Sequence, residues 1–289
     1  MMGPPMSIVS MAGPVGKAYR EGYAVPAFCA WNAEVTRVIL QTAERLRAPV
    51  ILMHALPDFT LLPPALQAEV TRVVARRFEA VPAVMHLDHG DSPELVAECL
   101  QAGYTSVMLD YSARSFEENA EALRRVGELA HPLGVSVEGE IGHVGRADES
   151  SVEGGAVSAL TDPTEAAEYV RRSQVDLLAV SVGNKHGFYR GEPRIEFGLL
   201  AELQAAVRVP LVLHGGTGIP EKDIRRSVEL GIAKVNVASE LAHGFRTTFN
   251  AQWEGGAQPW VTAALGAAVA SLERTIEKWI RITGAEGKA

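Results

Sequence analysis

The chain has 289 residues, 47% hydrophobic and 21% charged, a balance that suits a protein with a sizeable core and excludes disordered and fibrous classes. Its formal net charge of -8 argues against general nucleic-acid binding and against attraction to anionic membranes, and no apolar run is long enough to span one. Two cysteines, Cys29 and Cys99, exclude a disulfide framework or a cysteine zinc motif, and the start MMGPPMSIVSMAGP lacks the pattern of a secretion signal, so a cytoplasmic protein is expected.

Taken in chain order, short apolar runs alternate with amphipathic stretches. Strands are predicted at 24–28, 50–54, 83–87, 106–110, 136–140, 177–181, 211–214 and 234–237. Most are continuous apolar runs, as parallel strands covered on both faces require. Helix signals lie between them. Ser115 and Glu118 form a capping box before a helix running to about Ala130. Asp162-Pro163 opens TEAAEYVRRS, with Pro at a tolerated first-turn position. Ile219-Pro220 opens EKDIRRSVEL, and Gly231 stands where that helix should break. Eight strands with intervening helices predict an α/β fold, a closed (β/α)8 TIM barrel forming one domain over 1–289. An open doubly wound sheet is the alternative.

Three histidines close three of these runs: His89 in AVMHLDHG, His186 in LLAVSVGNKHG and His214 in VPLVLHGG. One such His alone reads best as a satisfied core or turn residue. Three at equivalent places supply the ligand count of a catalytic zinc site, with a fourth position open. In a barrel, chemistry sits at the C-terminal strand ends, which puts these histidines just past strands three, six and seven on one face. Asp88, Asp110 and Glu140 end strands three, four and five. A nearby dication would favour such acids, although a polar rim is the plainer reading of the last two. Gly187, Gly215, Gly216 and Gly218 follow strands six and seven, and Thr217, Asn236 and Ser239 add hydroxyls and an amide. Loops seven and eight of such barrels often hold a phosphate, because free N–H groups and a helix N-terminus favour an anion.

LDHG, TSVMLDYS with SFEEN, VSVEGEIGHVG, GNKHGFYRGEPRIEF, VPLVLHGGTGIP and IAKVNVASEL, in that order, resemble the motifs of class II, metal-dependent ketose-bisphosphate aldolases. The resemblance runs from about Tyr23 to Phe249. It implies one Zn2+ per subunit held by His89, His186 and His214, with Asp110 and Glu140 at an alternative, more buried metal position. It implies Asp88 as the proton shuttle on the substrate's C4 hydroxyl. The phosphate of dihydroxyacetone phosphate would be held by Gly187, by Gly215, Gly216 and Thr217, and by Asn236, Val237, Ala238 and Ser239, with a monovalent cation (Na+ or K+) nearby. Asn32 matches a further family position at the substrate. An acid on the loop at 142–158 would protonate the enediolate carbon; Asp148 lies at about the matching place, with Glu149 or Glu153 as alternatives. The family also implies a phosphorylated sugar substrate and a homodimer or homotetramer. NVASE is closer to the form of the tagatose-bisphosphate branch.

The residue types suit the chemistry. Cleaving a C–C bond beside a carbonyl leaves an enediolate, whose charge a Lewis-acidic ion stabilises. No lysine stands out as a Schiff-base nucleophile: Lys234 begins a strand, and Lys185 is merely adjacent to a candidate ligand. The departures concern the far end of the substrate. Cys29 follows Phe28 where the family commonly has Asn, and Ala55-Leu56-Pro57 replaces the usual Ser-Glu-Gly. Trp31 and His54 are bulky additions expected at the same rim. PWVTAALGAAVASLERTIEKW lacks the basic residues a second phosphate would want there, and Arg114 or Arg190 would have to replace them. Fructose 1,6-bisphosphate is therefore not the expected best substrate. Three other readings stay open: an aldolase for another keto-sugar phosphate such as a deoxyketo-gluconate phosphate, a barrel metallohydrolase, and a catalytically silent metal-binding paralogue.

Overall fold

A computed structural model describes residues 8–145, 159–189 and 191–289. Helix α1 (Ala12–Glu21) precedes β1 (Val25–Cys29), which is followed by α2 (Ala33–Arg45), β2 (Val50–Ala55), the short α3 (Leu56–Phe59) and α4 (Pro64–Ala75). Then come β3 (Ala83–Gly90), α5 (Pro93–Gln101), β4 (Ser106–Leu109), α6 (Phe116–Ala130), β5 (Ser136–Ile141), α7 (Pro163–Ser173) and β6 (Leu177–Val180). The chain ends with α8 (Phe197–Ala206), β7 (Leu211–Leu213), α9 (Glu221–Glu229), β8 (Ile232–Val237), α10 (Ser239–Ala251) and α11 (Val261–Ile282). The eight strands pair in sequence order and β8 closes on β1, every pair parallel. The predicted TIM barrel is the observed one, and the open sheet is excluded by the β1–β8 ladder.

Local signals place the helices as read. Ser115 Oγ accepts from the Glu118 N–H at 3.3 Å while the Glu118 carboxylate accepts from the Ser115 N–H at 3.2 Å. The Asp162 carboxylate accepts from the N–H groups of Thr164 and Glu165, at 2.8 and 2.9 Å, ahead of Pro163. Strand residues such as Ile51, Leu52, Val84, Leu178 and Val212 are fully buried, each worth about 1.5–3 kcal/mol of apolar transfer.

The strand ends differ from expectation by small steps that matter. β1 is shifted one residue later, β5 runs on to Ile141 and β8 starts at Ile232. β4 stops at Leu109, so Asp110 stands just past it, and β7 stops at Leu213, just before His214. β3 carries three residues more, through Asp88 and His89 to Gly90. Its ladder with β4 shifts register between Leu87 and Gly90, a bulge that ends the regular alternation. Among the described residues no helix is long and apolar enough to cross a membrane.

Candidate active site

Asp88 and His89 are neighbours on one strand, where successive side chains ordinarily point to opposite faces. The bulge removes that conflict. His89 has φ 48°, in the left-handed region where a non-glycine residue is uncommon. Gly90 follows because a Cβ there would lie 2.7 Å from the Met108 carbonyl. As a result the Asp88 carboxylate accepts from the Asn236 amide at 3.0 Å, and His89 Nε2 comes 2.9 Å from His214 Nδ1.

His186 arrives from the loop after β6, held against the end of β7. The Asn184 amide donates to the His214 carbonyl at 3.0 Å, and its own carbonyl accepts from the Val182 N–H at 2.8 Å. Gly215 has φ 63°, and a Cβ on it would fall 2.1 Å from the Lys185 carbonyl, so the two loops meet backbone to backbone. One nitrogen from each of His89, His186 and His214 then lies within 4.8 Å of the others. Their rings are mutually edge-on, with centroids 4.7 to 5.7 Å apart. His89, Asp110 and Glu140 form a second group of the same compactness, sharing His89.

The electrostatics of this cluster fit a cation. Burial pulls the His89 imidazole down, but the carboxylates of Asp88, Asp110 and Glu140 outweigh it and hold His89 up at about 10. Asp110, 2.7 Å from His89 Nδ1, is held well below the usual carboxylate range by that partner and by Ser112, against a burial effect working upward. Burial, then the charge of Asp110, pushes Glu140 up to about 8. His214 is pushed well down, first by burial and then by the charge of His89. A charged His89 opposite a neutral His214 is what two facing imidazole nitrogens adopt when a proton bridges them. A divalent ion satisfies the same lone pairs, and the buried Glu140 Oε2, which lacks a hydrogen-bond partner among the described residues, offers it a further oxygen. The donor set of imidazoles with flanking carboxylates therefore fits zinc.

The predicted phosphate residues adjoin this cluster. The Gly216 N–H donates to the Asn236 carbonyl at 3.3 Å, and Thr217 Oγ1 accepts from the Glu240 N–H at 3.2 Å in the first turn of α10. Val237 ends β8 fully buried, Ala238 is the N-cap with no side-chain cap bond, and Ser239 begins α10. The N-terminus of α10 thus lies beside Thr217, the kind of helix end that can favour an anion. Gly187 lies one residue past His186 with φ 90°.

The β1 and β2 ends contribute differently. Asn32 Oδ1 accepts from the Val35 N–H at 2.8 Å, so half of its amide caps α2. Trp31 is half-buried and edge-on to Phe245 of α10. The Asp58 carboxylate accepts from the Ala55 N–H at 2.9 Å, and Ala55 is the ladder partner of Asp88. Burial, and then the charge of Asp88, raises the Asp58 carboxyl. His54 is not at the rim as expected: it is fully buried, 2.9 Å from the Tyr104 hydroxyl and 3.4 Å from Thr71 of α4. Strand alternation turns it away from the mouth, and burial holds its imidazole down at about 3. Arg114 stacks over the Tyr111 ring at 4.3 Å. Asp148, Glu149, Glu153 and Arg190 lie outside the described residues.

Glu138, His86 and Asn184 are buried polar groups at or beneath the cluster that the sequence did not single out, and Lys234, expected at the start of a strand, is fully buried two residues inside β8. Period two offered a signal for two of them: Glu138 shares a strand face with Glu140, and Lys234 shares one with Asn236.

Residues 9–288 match the family model described as fructose-bisphosphate aldolase class-II. A probable fructose-bisphosphate aldolase of Bacillus subtilis (strain 168) is 42% identical over 244 residues, 81% of this chain and 82% of its own. The D-tagatose-1,6-bisphosphate aldolase subunit GatY of Klebsiella oxytoca is 35% identical over 284 residues, 98% of this chain and 100% of its own. The crystal structure of the YdjI aldolase from Escherichia coli K12 superposes with a TM-score of 0.87 at 31% identity, covering 98% of this chain and 99% of that one.

Proposed function

The chain belongs to the class II fructose-bisphosphate aldolase family, a zinc-dependent family of carbon–carbon lyases, and on that premise we propose a division of labour among its residues and a substrate preference. The enzyme reversibly cleaves a ketose phosphate to dihydroxyacetone phosphate and an aldehyde; the metallohydrolase reading is excluded by the family.

His89, His186 and His214 hold the zinc, with Asp110 and Glu140 flanking it. The observation that carries this reading is the convergence of three imidazole nitrogens beside Asp88 at the C-terminal end of the barrel. The metal, when bound, supplies Lewis acidity for charge developing at the substrate's carbonyl. Asp88 takes the C4 hydroxyl proton in cleavage and returns it in condensation, oriented by the Asn236 amide. The N–H groups of Gly215, Thr217 and the Ala238–Ser239 turn, with Gly187, bind the phosphate, Gly216 shaping the loop through its bond to the Asn236 carbonyl, and a monovalent cation assists there. Asn32 turns its free amide edge to the substrate, and Asp148 protonates the enediolate carbon.

The far end of the substrate does not carry a second phosphate. Residues 30–32 and 55–63, after β1 and β2, hold no Lys or Arg, and the carboxylate they do hold, Asp58, accepts from the N–H of Ala55, the ladder partner of Asp88. An anion there would face like charge. The relatives acting on fructose and tagatose bisphosphates thus share the reaction with this chain and not the preferred sugar. Trp260 and Val261, 85% and 63% exposed at the start of α11, support a homodimer or homotetramer.

A condensation screen with dihydroxyacetone phosphate, against phosphorylated and unphosphorylated aldehydes, tests the reading. Faster turnover of unphosphorylated aldehydes is expected. Efficient cleavage of fructose 1,6-bisphosphate with all other sugars much slower would defeat the substrate preference, and a zinc-loaded protein with no product from any aldehyde would point to a silent paralogue.

A further inference from the structure

Beneath the three imidazoles the barrel interior is ionic, where such barrels are ordinarily filled by branched apolar side chains. Glu138 on β5, Lys234 on β8 and His86 on β3 are fully buried. Lys234 Nζ lies 2.8 Å from Glu138 Oε2 and 3.1 Å from Oε1. The same Oε1 is 2.8 Å from His214 Nε2. His86 Nε2 stands 3.6 Å from Oε2, and its Nδ1 is 2.8 Å from Ser106 Oγ on β4. Both Glu138 oxygens are thus committed to the interior, Oε1 between His214 and Lys234 and Oε2 to Lys234.

Stability does not account for this layer. Taking two charges out of water costs several kcal/mol per ion, and replacing such a pair by apolar side chains is often neutral or stabilising. Its geometry has another consequence. As the carboxylate of an ion pair, Glu138 can only accept, so the proton of His214 sits on Nε2 and the lone pair on Nδ1. Nδ1 is the nitrogen that faces His89, at 2.9 Å.

We propose that Glu138, itself held in place by Lys234, is a positioning residue that locks His214 in the Nε2–H tautomer and presents Nδ1 to the metal. Lys234 grips both oxygens and so fixes the carboxylate's rotation, and a ligand imidazole backed in this way is oriented and made more basic. The inference rests on the three-histidine ligand set and adds to it the two residues that set its geometry.

The test uses the full chain, stripped of metal, with zinc affinity measured by chelator competition and thermal unfolding followed without metal. Two variants are compared with wild type: Glu138→Gln, which leaves a donor facing either His214 or Lys234, and the double change Glu138→Met with Lys234→Met, which removes both charges. Zinc affinity is expected to fall about 10- to 100-fold in each. The metal-free melting temperature of the double variant is expected to stay at the wild-type value. Wild-type zinc affinity in either folded variant overturns the proposal. So does a loss of metal-free stability in both variants that tracks the loss of zinc, because that marks a purely structural layer. His214→Ala separates the two levels: if that variant binds zinc as wild type does, the ligand set itself is wrong, whatever Glu138 does.

Discussion

On the arc from β3 to β8, strand ends carry side chains aimed at one another: Asp88 at Asn236, His89 at Asp110 and His214, His214 at Glu138. On the arc of β1 and β2, the polar groups serve their own backbone and core. Asn32 caps α2, Asp58 holds the Ala55 N–H, and His54 is sealed against Tyr104. His54 and His89 make the contrast sharp. Both stand next to last in an apolar strand, yet one imidazole is held down at about 3 by burial, while flanking carboxylates hold the other up at about 10 against it. The first arc gathers groups that could hold a metal ion. The second, among the described residues, contributes nothing to that group and is where a fold can vary while the group stays intact.

The strongest break in this comparison comes from His89, which belongs to both candidate ligand groups. His89→Ala is expected to abolish zinc binding and to lower kcat/KM for cleavage at least about a thousandfold. Zinc retention measured by metal analysis of the purified variant would show that the two groups do not converge as read. Next is Asp88→Asn, expected to lower kcat by about 10² to 10⁴ while zinc stays bound. Joint loss of zinc would make Asp88 a ligand instead of a proton carrier.

The third prediction concerns the quiet arc. His54 is neutral in the fold with its pKa near about 3, against 6.5 for the free group. The unfolded chain therefore binds more protons between those values, and stability is full above about pH 6.5 and lost as pH falls toward 3. The loss is about 1.4 kcal/mol per pH unit from this residue, visible as a lower urea midpoint at pH 5.5 than at pH 7. His54→Gln should flatten that slope; an unchanged slope would place the acid sensitivity elsewhere. The smallest effect is expected from Asp58→Asn, a several-fold lower KM for a ketose bisphosphate with kcat little changed, about 1 kcal/mol of relieved repulsion. If KM for the bisphosphate does not move, the far end of the substrate lies away from β2.

Much of the site was legible because strand ends and caps are written in short stretches. LDHG, NKHG and LHGG mark three loops of one barrel face, and Ser115 with Glu118 or Asp162 with Pro163 mark helix starts from four residues or fewer. What those stretches did not show were pairings across the barrel. Glu138 and Lys234 are 96 residues apart in the chain and 2.8 Å apart in space, and neither has a local reason to be buried. Asn184 reads as an ordinary loop residue until the end of β7 comes within reach of its amide.

By itself, then, the sequence determined the architecture, since periodicity and turn signals act over one or two turns of chain, and its ordered motifs carried the resemblance that implied the class of reaction and the candidate ligand histidines. The tertiary structure alone decided that β3 bulges so that Asp88 and His89 face one centre, that His54 turns inward, and that an ion pair sits under His214. Those outcomes depend on closing a ring of strands, which sets the distance between charges far apart in the chain and removes the water that would otherwise screen them.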